Sequence, residues 1–287
     1  MALGFDNLTG RTALVTGASS GIGREFARAL ARRGADLVLT ARSRARLDEL
    51  ADTVRSDHGV QVVVLDRDLA VPGSGDELVA ELTARRIAID ILINNAGFGA
   101  HGDLVDADPA RLDAMTSLNV STVVGLTTRL LPGMVERKAG AIVNVASTAA
   151  FQPVPHMAAY GATKAFVLNF SRAVWAENRT TGVDVLALSP GATDTEFFRV
   201  AGEVAAVGAR RSTEQVVQTA LRALAQGRPN VVDGRRNAFV AWLSPRSPER
   251  LSIAIAERSV RPAGRRQTLV ASSAVGDLPS ASTQEHR

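Results

Sequence analysis

The feature that most constrains the fold is a glycine-rich turn between a short apolar run and a helix-like stretch. Thr12–Thr16 has the pattern of a buried strand, and it runs into Gly17-Ala18-Ser19-Ser20-Gly21-Ile22-Gly23. Glycines let the backbone turn tightly and approach a pyrophosphate, and the following helix offers free N–H groups at its N-terminus. The hydroxyls of Ser19 and Ser20 add hydrogen-bond donors. The sequence therefore predicts a dinucleotide-binding strand–turn–helix unit here.

Short apolar runs continue to alternate with helix-like stretches up to about residue 233. We predict strands at Thr12–Thr16, Ala35–Ala41, Val60–Leu65, Ile89–Asn94, Gly140–Ser147, Val183–Leu188 and, as a short last strand, 230–232. We predict helices at Arg24–Arg33, Arg44–Ser56, Gly75–Arg85, Asp108–Val135, Met157–Asn178 and Thr213–Gln226, with Pro132 marking the end region of the fourth. Strands separated by helices of this length imply right-handed crossovers and a parallel sheet.

This alternation predicts an α/β fold, a doubly wound, Rossmann-like parallel sheet in a single domain with a short C-terminal appendage. We expect the catalytic domain to span residues 1–233. Residues 234–261 are expected to form a helical, apolar appendage, and the Arg-, Ser-, Ala- and Gly-rich residues 262–287 a disordered tail. Hydrophobic residues make up 46% of the chain but aromatic residues only 4%, so aliphatic side chains and alanines must fill the core.

Composition excludes several classes of chemistry. The chain has no cysteine, which excludes disulfides, thiolate catalysis and cysteine-based metal sites. Its four histidines (His58, His101, His156 and His286) are not paired at ligand spacing, so we expect no metal site. The net charge of +4 is concentrated in residues 258–287, which hold five arginines and two acidic residues. We interpret this tail as a solvated terminus and expect no nucleic-acid partner.

The expected location is the cytoplasm. The first residues lack a basic region followed by an apolar stretch, so no signal peptide is visible. No apolar run approaches the ~20 residues needed to span a bilayer.

The residues after the second predicted strand distinguish NAD from NADP. NAD-binding sheets usually carry an acidic residue at this point, which binds the ribose 2′-hydroxyl. Here the strand ends Leu39-Thr40-Ala41 and Arg42 follows, with Ser43 as a possible helper. An arginine can pair with a 2′-phosphate, whereas an acid would repel it. We predict NADP(H), with an ordinary surface arginine as the alternative because Arg44 and Arg46 lie nearby.

A candidate acid/base lies in the predicted helix after the fifth strand. Tyr160 is the only tyrosine, and Lys164 follows four residues later on the same helix face. A phenol has a pKa of about 10, and a nearby ammonium is expected to lower it. Ser147 closes the fifth predicted strand, at the edge where ligands bind in open α/β sheets. Asn94–Gly97 and Pro190-Gly191 follow the fourth and sixth strands at that same edge.

Together these residues resemble the short-chain dehydrogenase/reductase family, in its compact single-domain, NADP-preferring branch. The resemblance covers residues 10 to about 233. It is carried by Thr16–Gly23, Asn94–Gly97, Asn119, Ser147, Tyr160 with Lys164, and Pro190-Gly191 with Thr193 and Thr195.

The resemblance implies a role for each matching residue. Tyr160 would exchange the proton with the substrate oxygen, which Ser147 would position. Lys164 would bind the nicotinamide ribose and lower the tyrosine pKa, and Asn119 would hold a water that links Lys164 to solvent. Asp68 would contact adenine, and Thr193 and Thr195 the carboxamide and pyrophosphate. The full predicted cofactor site is Gly17, Ser19, Ser20, Gly21, Ile22, Gly23, Arg42, Asp68, Leu69, Asn95, Ala96, Gly97, Tyr160, Lys164, Pro190, Gly191, Thr193 and Thr195.

The implied activity is hydride transfer between NADP(H) and a secondary alcohol or ketone, as in a carbonyl reductase. Phe197, Phe198 and Val200 suggest an apolar lid and a hydrophobic or medium-sized substrate. We expect a homo-oligomer, either a dimer or a tetramer. One alternative is a non-catalytic NADP(H)-binding sensor or scaffold. Another is a sugar-nucleotide epimerase, for which residues 234–287 are too few to form the usual second domain.

Residues 237–260 allow two interpretations. They hold two apolar groups, one around Trp242 and one at Leu251–Ile255, and they could form an amphipathic segment that touches a membrane or a partner chain. The favoured interpretation is a helix packed on the domain or across an oligomer interface.

Overall fold

Seven strands form one parallel sheet in the computed structural model, which describes residues 4–193 and 210–260. Their bounds are β1 Thr12–Thr16, β2 Asp36–Thr40, β3 Val62–Val64, β4 Ile91–Asn94, β5 Gly140–Val145, β6 Val183–Ser189 and β7 Asn230–Val232. The strand order is β3-β2-β1-β4-β5-β6-β7. The direction of winding reverses between β1 and β4, which is the switch point of a doubly wound sheet. The predicted Rossmann-like α/β fold class is confirmed.

Helices cover both faces of this sheet. Their bounds are α1 Gly21–Ala31, α2 Arg44–His58, α3 Ser74–Ala84, α4 Pro109–Thr116, α5 Thr122–Glu136, α6 Ala158–Glu177, α7 Thr213–Ala225, α8 Arg235–Leu243 and α9 Glu249–Val260. One buried cluster joins Phe26 of α1, Leu47 of α2 and Val217 of α7. A second joins Leu78 of α3 and Leu126 of α5. Both clusters are mainly aliphatic, as the low aromatic content predicts.

The local sequence explains where α2 ends and where α7 begins. Helix α2 ends at Gly59, whose φ of 68° lies in the left-handed region that glycine adopts without a steric penalty. Helix α7 begins after Ser212, whose hydroxyl accepts a hydrogen bond from the Gln215 backbone N–H. The Gln215 side chain accepts one from the Ser212 N–H in return. This reciprocal cap satisfies two backbone donors that would otherwise lack a partner.

The helical stretch predicted over Asp108–Val135 is confirmed as an unbroken helical run from Pro109 to Glu136, but one turn within it is not α-helical. A π-helical turn at Ser117–Ser121 separates α4 from α5, and the Thr122 N–H donates to the Ser117 carbonyl five residues back. Such a widened turn changes which side chains face the core, and π turns recur at functional sites. Asn119 lies within it.

Pro132 lies in the end region of the helix, as predicted, four residues before the last residue of α5 at Glu136. A proline removes the hydrogen bond to the carbonyl four residues earlier, here that of Thr128. Pro132 and Thr128 are both exposed, so water can bind this carbonyl in place of the missing donor.

The strand predicted over Gly140–Ser147 ends two residues early, at Val145. Ser147 instead caps a short 3₁₀ turn at Thr148–Phe151, and its hydroxyl accepts a hydrogen bond from the Ala149 N–H at 3.1 Å. Ser147 therefore leaves the sheet and stands at its edge. The third strand is also shorter than predicted, because only Val62–Val64 pairs with β2.

A buried amide network holds the middle of the sheet to the helices. Asn94 on β4 lies opposite Asn144 on β5, and its Nδ2 donates to the Asn144 Oδ1 at 2.8 Å. The Asn94 amide also reaches Thr127 of α5, and the Asn144 amide donates to Ser171 of α6. Hydrogen-bonded partners remove the cost of burying these polar groups and fix the spacing of β4 and β5 where the site begins.

The C-terminal described residues form two helices, α8 and α9, joined by a 3₁₀ turn at Ser244–Arg246. Their buried side chains are mostly small: Ala241 on α8, and Ser252 and Ala256 on α9, with Val260 at the end of α9. The division of the chain after residue 233 stays a prediction. Among the residues that the structure describes, no helix has the length and apolar character needed to cross a membrane.

Candidate functional site

A cavity of about 1360 Å³ opens at the carboxyl edge of the sheet, where the turns after β1, β2, β4, β5 and β6 meet. Ligands of open α/β sheets bind at this edge, beside the switch point. The cavity collects most of the predicted site: Gly17, Ser19, Ser20, Gly21, Ile22, Arg42, Asp68, Leu69, Asn95, Ala96, Gly97, Ser147, Tyr160, Lys164, Pro190, Gly191 and Thr193 line it. Gly23 and Asn119 do not line the cavity, but each of them contacts residues that do.

The glycine-rich turn after β1 is fixed by a clamp from β4. Gly17 has a φ of 64°, in the left-handed region. Gly23 has no room for a side chain, because a Cβ there would overlap the Asn95 side-chain amide and the Gly17 carbonyl. The Asn95 Nδ2 donates to the Thr16 carbonyl at 2.9 Å, and the Thr16 hydroxyl accepts from the Asn95 N–H at 2.9 Å. The turn is thus held in one shape before any ligand binds.

Helix α1 points its N-terminus at the cavity. Ser20 precedes the first helical residue, and no side chain caps the backbone N–H groups of the first turn. Free N–H groups and the positive end of the helix dipole favour a bound phosphate at this position.

The arginines after β2 differ in their partners. Arg44 pairs with Asp48 at 2.9 Å and with Asp66 at 3.1 Å, and these carboxylates raise its pKa. Arg42 is exposed, lines the cavity and makes no hydrogen bond or ion pair with residues 4–193 or 210–260. Arg42 is therefore available to bind an anion, whereas Arg44 is already engaged.

The other predicted cofactor residues have local partners that shape the cavity wall. The Asp68 carboxylate accepts a hydrogen bond from the Ala70 N–H, and the Leu69 carbonyl accepts one from Thr122 of α5. Thr193 is buried, and its hydroxyl donates to the Gly191 carbonyl at 3.1 Å.

Ser147 and Tyr160 meet at the centre of the cavity. Tyr160 lies in the first turn of α6, is 7% exposed and is hydrogen-bonded to the Ser147 side chain. Burial raises the pKa of the Tyr160 hydroxyl to about 12, and the hydrogen bond from Ser147 opposes this shift. A phenol in this environment stays protonated at neutral pH and can act as a proton donor.

Lys164 is buried beside the tyrosine. Its Nζ donates to the Val145 carbonyl at 2.8 Å and lies 5.8 Å from the Tyr160 ring centroid. Burial lowers the pKa of Lys164 to about 8. The raised pKa of Tyr160 is set by burial of its hydroxyl, and the role of Lys164 in lowering this pKa stays a prediction.

Asn119 is buried in the π turn and fixes the loop after β4. Its Oδ1 accepts a hydrogen bond from the Phe98 N–H at 3.2 Å, and its Nδ2 donates to the Phe98 carbonyl at 3.0 Å. The same Nδ2 donates to Thr163, the residue before Lys164. The amide therefore joins the loop to α6, and its water-holding role stays a prediction. Thr195 and the lid residues Phe197, Phe198 and Val200 lie outside the described residues.

The sequence prediction missed the far wall of the cavity, which α8 and α9 supply. Val240, Leu243, Ile255 and Val260 line it with other residues of these helices. Val260 also packs in the buried cluster that contains Met157 and Tyr160. The His101 Nε2 donates to the Val260 carbonyl at 2.6 Å and so ties the end of α9 to the loop after β4. No local motif marks these contacts, because the bonded residues are 159 positions apart.

Comparison with known proteins gives a match to one family model. The model described as short chain dehydrogenase matches residues 11–205. A short chain dehydrogenase of Pseudocercospora fijiensis is 38% identical over 193 residues, which is 66% of this chain and 62% of that protein. The very-long-chain 3-oxoacyl-CoA reductase of Anas platyrhynchos is 34% identical over 198 residues, 67% of this chain and 62% of that protein. The chain therefore covers less than two thirds of the length of these two curated relatives.

A solved structure has the same architecture. The short-chain dehydrogenase from Sphingobium yanoikuyae, in complex with NADPH, is 37% identical and superposes with a TM-score of 0.75. The superposition covers 81% of this chain and 91% of that chain.

Proposed function

The chain belongs to the short-chain dehydrogenase family, and from this premise we propose that it is an NADP(H)-dependent reductase of ketones. Ser147, Tyr160 and Lys164 lie together in the cavity that the glycine-rich turn also lines. This observation carries the proposal. A proton donor, a second hydroxyl and a buried ammonium thus stand beside a phosphate-binding turn. Because these three residues lie close together, we propose that each has the role that the family resemblance implies for it.

Features of this chain support NADP(H) as the cofactor. The uncapped first turn of α1, which begins at the cavity, fits a pyrophosphate bound to its backbone N–H groups. Arg42, which has no acidic partner among the described residues, fits the additional 2′-phosphate. The NADPH bound to the Sphingobium yanoikuyae enzyme supports the same choice. The predicted cofactor residues, including Asp68, Pro190, Gly191 and Thr193, are proposed to contact it at the sheet edge.

The proposed reaction divides the work between cofactor and protein. The chemistry supplied by bound NADPH is hydride transfer to the carbonyl carbon of the substrate. The Ser147 and Tyr160 hydroxyls bind the carbonyl oxygen and polarise it. Tyr160 then donates its proton to this oxygen as negative charge develops there, and the product is a secondary alcohol. The charge of Lys164 stabilises the phenolate left on Tyr160.

The cavity wall supports a proposal for the substrate class. Its far side includes the apolar side chains of Met157, Val154, Leu243 and Ile255, and Arg235 and Arg236 line the cavity at the start of α8. We therefore favour a hydrophobic or medium-sized ketone, and the similarity to a 3-oxoacyl-CoA reductase supports a carbonyl substrate. No feature of the described residues favours the alternative of a non-catalytic sensor or scaffold. A homo-oligomeric state and a cytoplasmic location stay predictions.

An NADPH-oxidation screen tests the proposal. Purified protein is incubated with NADPH and, in turn, with aliphatic ketones, quinones, 3-oxoacyl thioesters and steroid ketones, and absorbance of the reduced nicotinamide is followed. We expect turnover with at least one apolar ketone and a loss of about a hundredfold or more in Ser147→Ala. NADPH binding without turnover across all four classes would favour the sensor instead, and absence of NADPH binding would overturn the proposal as a whole.

A further inference from the structure

Helices α8 and α9 expose most of their large apolar side chains. Phe239 and Trp242 of α8 are 60% and 54% exposed, and Leu251 and Ile255 of α9 are 52% and 56% exposed. Leu243 is also exposed, at 42%. A helix that only packed on the domain would turn these side chains inward. A cluster of exposed apolar residues of this kind marks an interaction surface.

Arginines frame this apolar set. Five exposed arginines lie within four residues of an exposed apolar side chain on the same helices or the turn between them: Arg235, Arg236, Arg246, Arg250 and Arg258. Arg246 stacks on the Trp242 ring at 4.7 Å from its centroid. The segment 235–260 holds only two acidic residues, Glu249 and Glu257. We call these exposed apolar residues and their arginines the α8–α9 surface.

We propose that the α8–α9 surface docks on an anionic lipid membrane, lying in the headgroup layer without crossing it. Each of the two helices exposes apolar side chains and arginines together, so this surface can contact both the acyl chains and the phosphates of a membrane interface. The apolar side chains would insert among the acyl chains. The arginines would extend to lipid phosphates, because their long stems let the charged group reach the headgroups.

Charge favours lipid over a second copy of this chain. A two-fold symmetric contact would bring together two copies of a segment that holds five arginines and only two acidic residues, so both sides would carry net positive charge. Like charges facing each other across an interface oppose association. An anionic membrane supplies the opposite charge and an apolar layer together.

The position of the cavity connects membrane docking with the proposed reaction. Leu243 and Ile255 of the α8–α9 surface also line the cavity, as does the neighbouring Val240, which is 47% exposed. A docked protein would therefore hold the cavity rim at the lipid, where apolar carbonyl compounds concentrate. This last step rests on the proposed function, whereas the docking itself does not.

Vesicle co-sedimentation of the full chain tests the docking. The vesicles are phosphatidylcholine alone or an equal mixture with phosphatidylglycerol. The apolar variant is Phe239→Ser/Leu251→Ser, which changes two exposed residues that do not line the cavity. We expect the wild-type protein to bind the anionic vesicles several-fold more strongly than the phosphatidylcholine vesicles. Added salt should weaken this binding. The apolar variant should bind at least about tenfold less.

The controls separate lipid binding from misfolding and from self-association. Val71→Ser removes an apolar side chain that is 56% exposed elsewhere on the protein and should bind like wild type. Arg250→Glu/Arg258→Glu should lose about tenfold on anionic vesicles and little on neutral ones. Thermal unfolding checks that each variant is folded. Equal or negligible pelleting of wild type and the apolar variant overturns the proposal. So does a change from oligomer to monomer caused by the apolar variant in vesicle-free ultracentrifugation, because a second copy would then cover this surface.

Discussion

The two ends of the cavity are built in different ways. The cofactor end is made largely of backbone: the Gly17–Gly23 turn, the first turn of α1 and the Asn95 clamp all lie within residues 12–97, on neighbouring strands. The substrate end is made of side chains from segments far apart in sequence. There Met157 and Val154 from the loop before α6 face Ile255 and Val260 of α9.

This difference explains why the two ends are not equally visible in a sequence. A backbone that must turn sharply and approach a phosphate accepts few residue types, so it leaves a recognisable motif. An apolar wall accepts many combinations of aliphatic side chains of suitable volume. Substitutions at the cofactor end should therefore change which cofactor binds, and substitutions at the substrate end should change only how well a ketone fits.

Tyr160→Phe acts where the two ends meet and should have the largest effect. Loss of the hydroxyl removes the proposed proton donor, so we expect kcat to fall by about a thousandfold or more. NADPH affinity should stay within about threefold, because the ring and its burial are kept. Turnover is measured as the rate of NADPH oxidation, and NADPH binding is measured by nicotinamide fluorescence. Activity close to wild type would remove Tyr160 from its proposed role.

Arg42→Asp tests the cofactor end alone. The change removes a charge-assisted bond to the 2′-phosphate and adds repulsion, so the ratio of kcat/KM for NADPH to that for NADH should fall by about a hundredfold. The matched control is Arg44→Ala, because Arg44 is already paired with Asp48 and Asp66. The control should shift the ratio by less than about threefold. An unchanged ratio in Arg42→Asp, or an equal shift in both variants, would mean that another group selects the cofactor.

The pH dependence of turnover should reflect the titration of the buried Lys164. The pKa of Lys164 is about 8, below its ordinary 10.5, so its charge is lost as pH rises through 8. The pKa of Tyr160 is about 12, so the proton donor stays protonated over the same range. We expect kcat/KM for NADPH, at saturating ketone, to be flat below pH 8 and to fall by about tenfold per unit above it. Lys164→Arg keeps its charge and should lose this fall, and a fall unchanged in that variant would contradict the assignment.

His101→Ala tests the substrate end and should have the smallest effect. The change frees the end of α9 by removing the hydrogen bond to the Val260 carbonyl. One such bond contributes about 0.5–1.5 kcal/mol, so KM for a bulky ketone should rise by about two- to tenfold while kcat changes little. His101→Gln, which can still donate, should recover part of the loss. The control His58→Ala changes an exposed histidine at the end of α2 and should leave KM unchanged. A fall in kcat with KM unchanged would show that the bond acts on the chemistry.

Much of the fold could be predicted, because each strand and its following helix carry their own periodicity. The errors occurred where tertiary contacts override that local pattern. The π turn at Asn119 cannot be seen in the periodicity of the long helix, since it depends on bonds from Asn119 to Phe98 and Thr163.

The candidate site could be predicted to a similar extent. Ser147, Tyr160 and Lys164 meet as their positions at strand and helix ends suggested. The raised pKa of Tyr160 could not be predicted, because it depends on how deeply the hydroxyl is buried in the folded protein. The wall from α8 and α9 was missed because its residues carry no motif.

The bond between His101 and Val260 also sets an order of events during synthesis on the ribosome. Strands β1 to β4 and the glycine-rich turn are complete once residue 97 has emerged, and they are neighbours in the sheet. Long-range contacts form late because closing a long loop costs chain entropy. A growing chain can therefore shape its nucleotide-facing half early, while the wall that receives the ketone waits for residue 260. A chain truncated before α9 would keep the first half and lack the second.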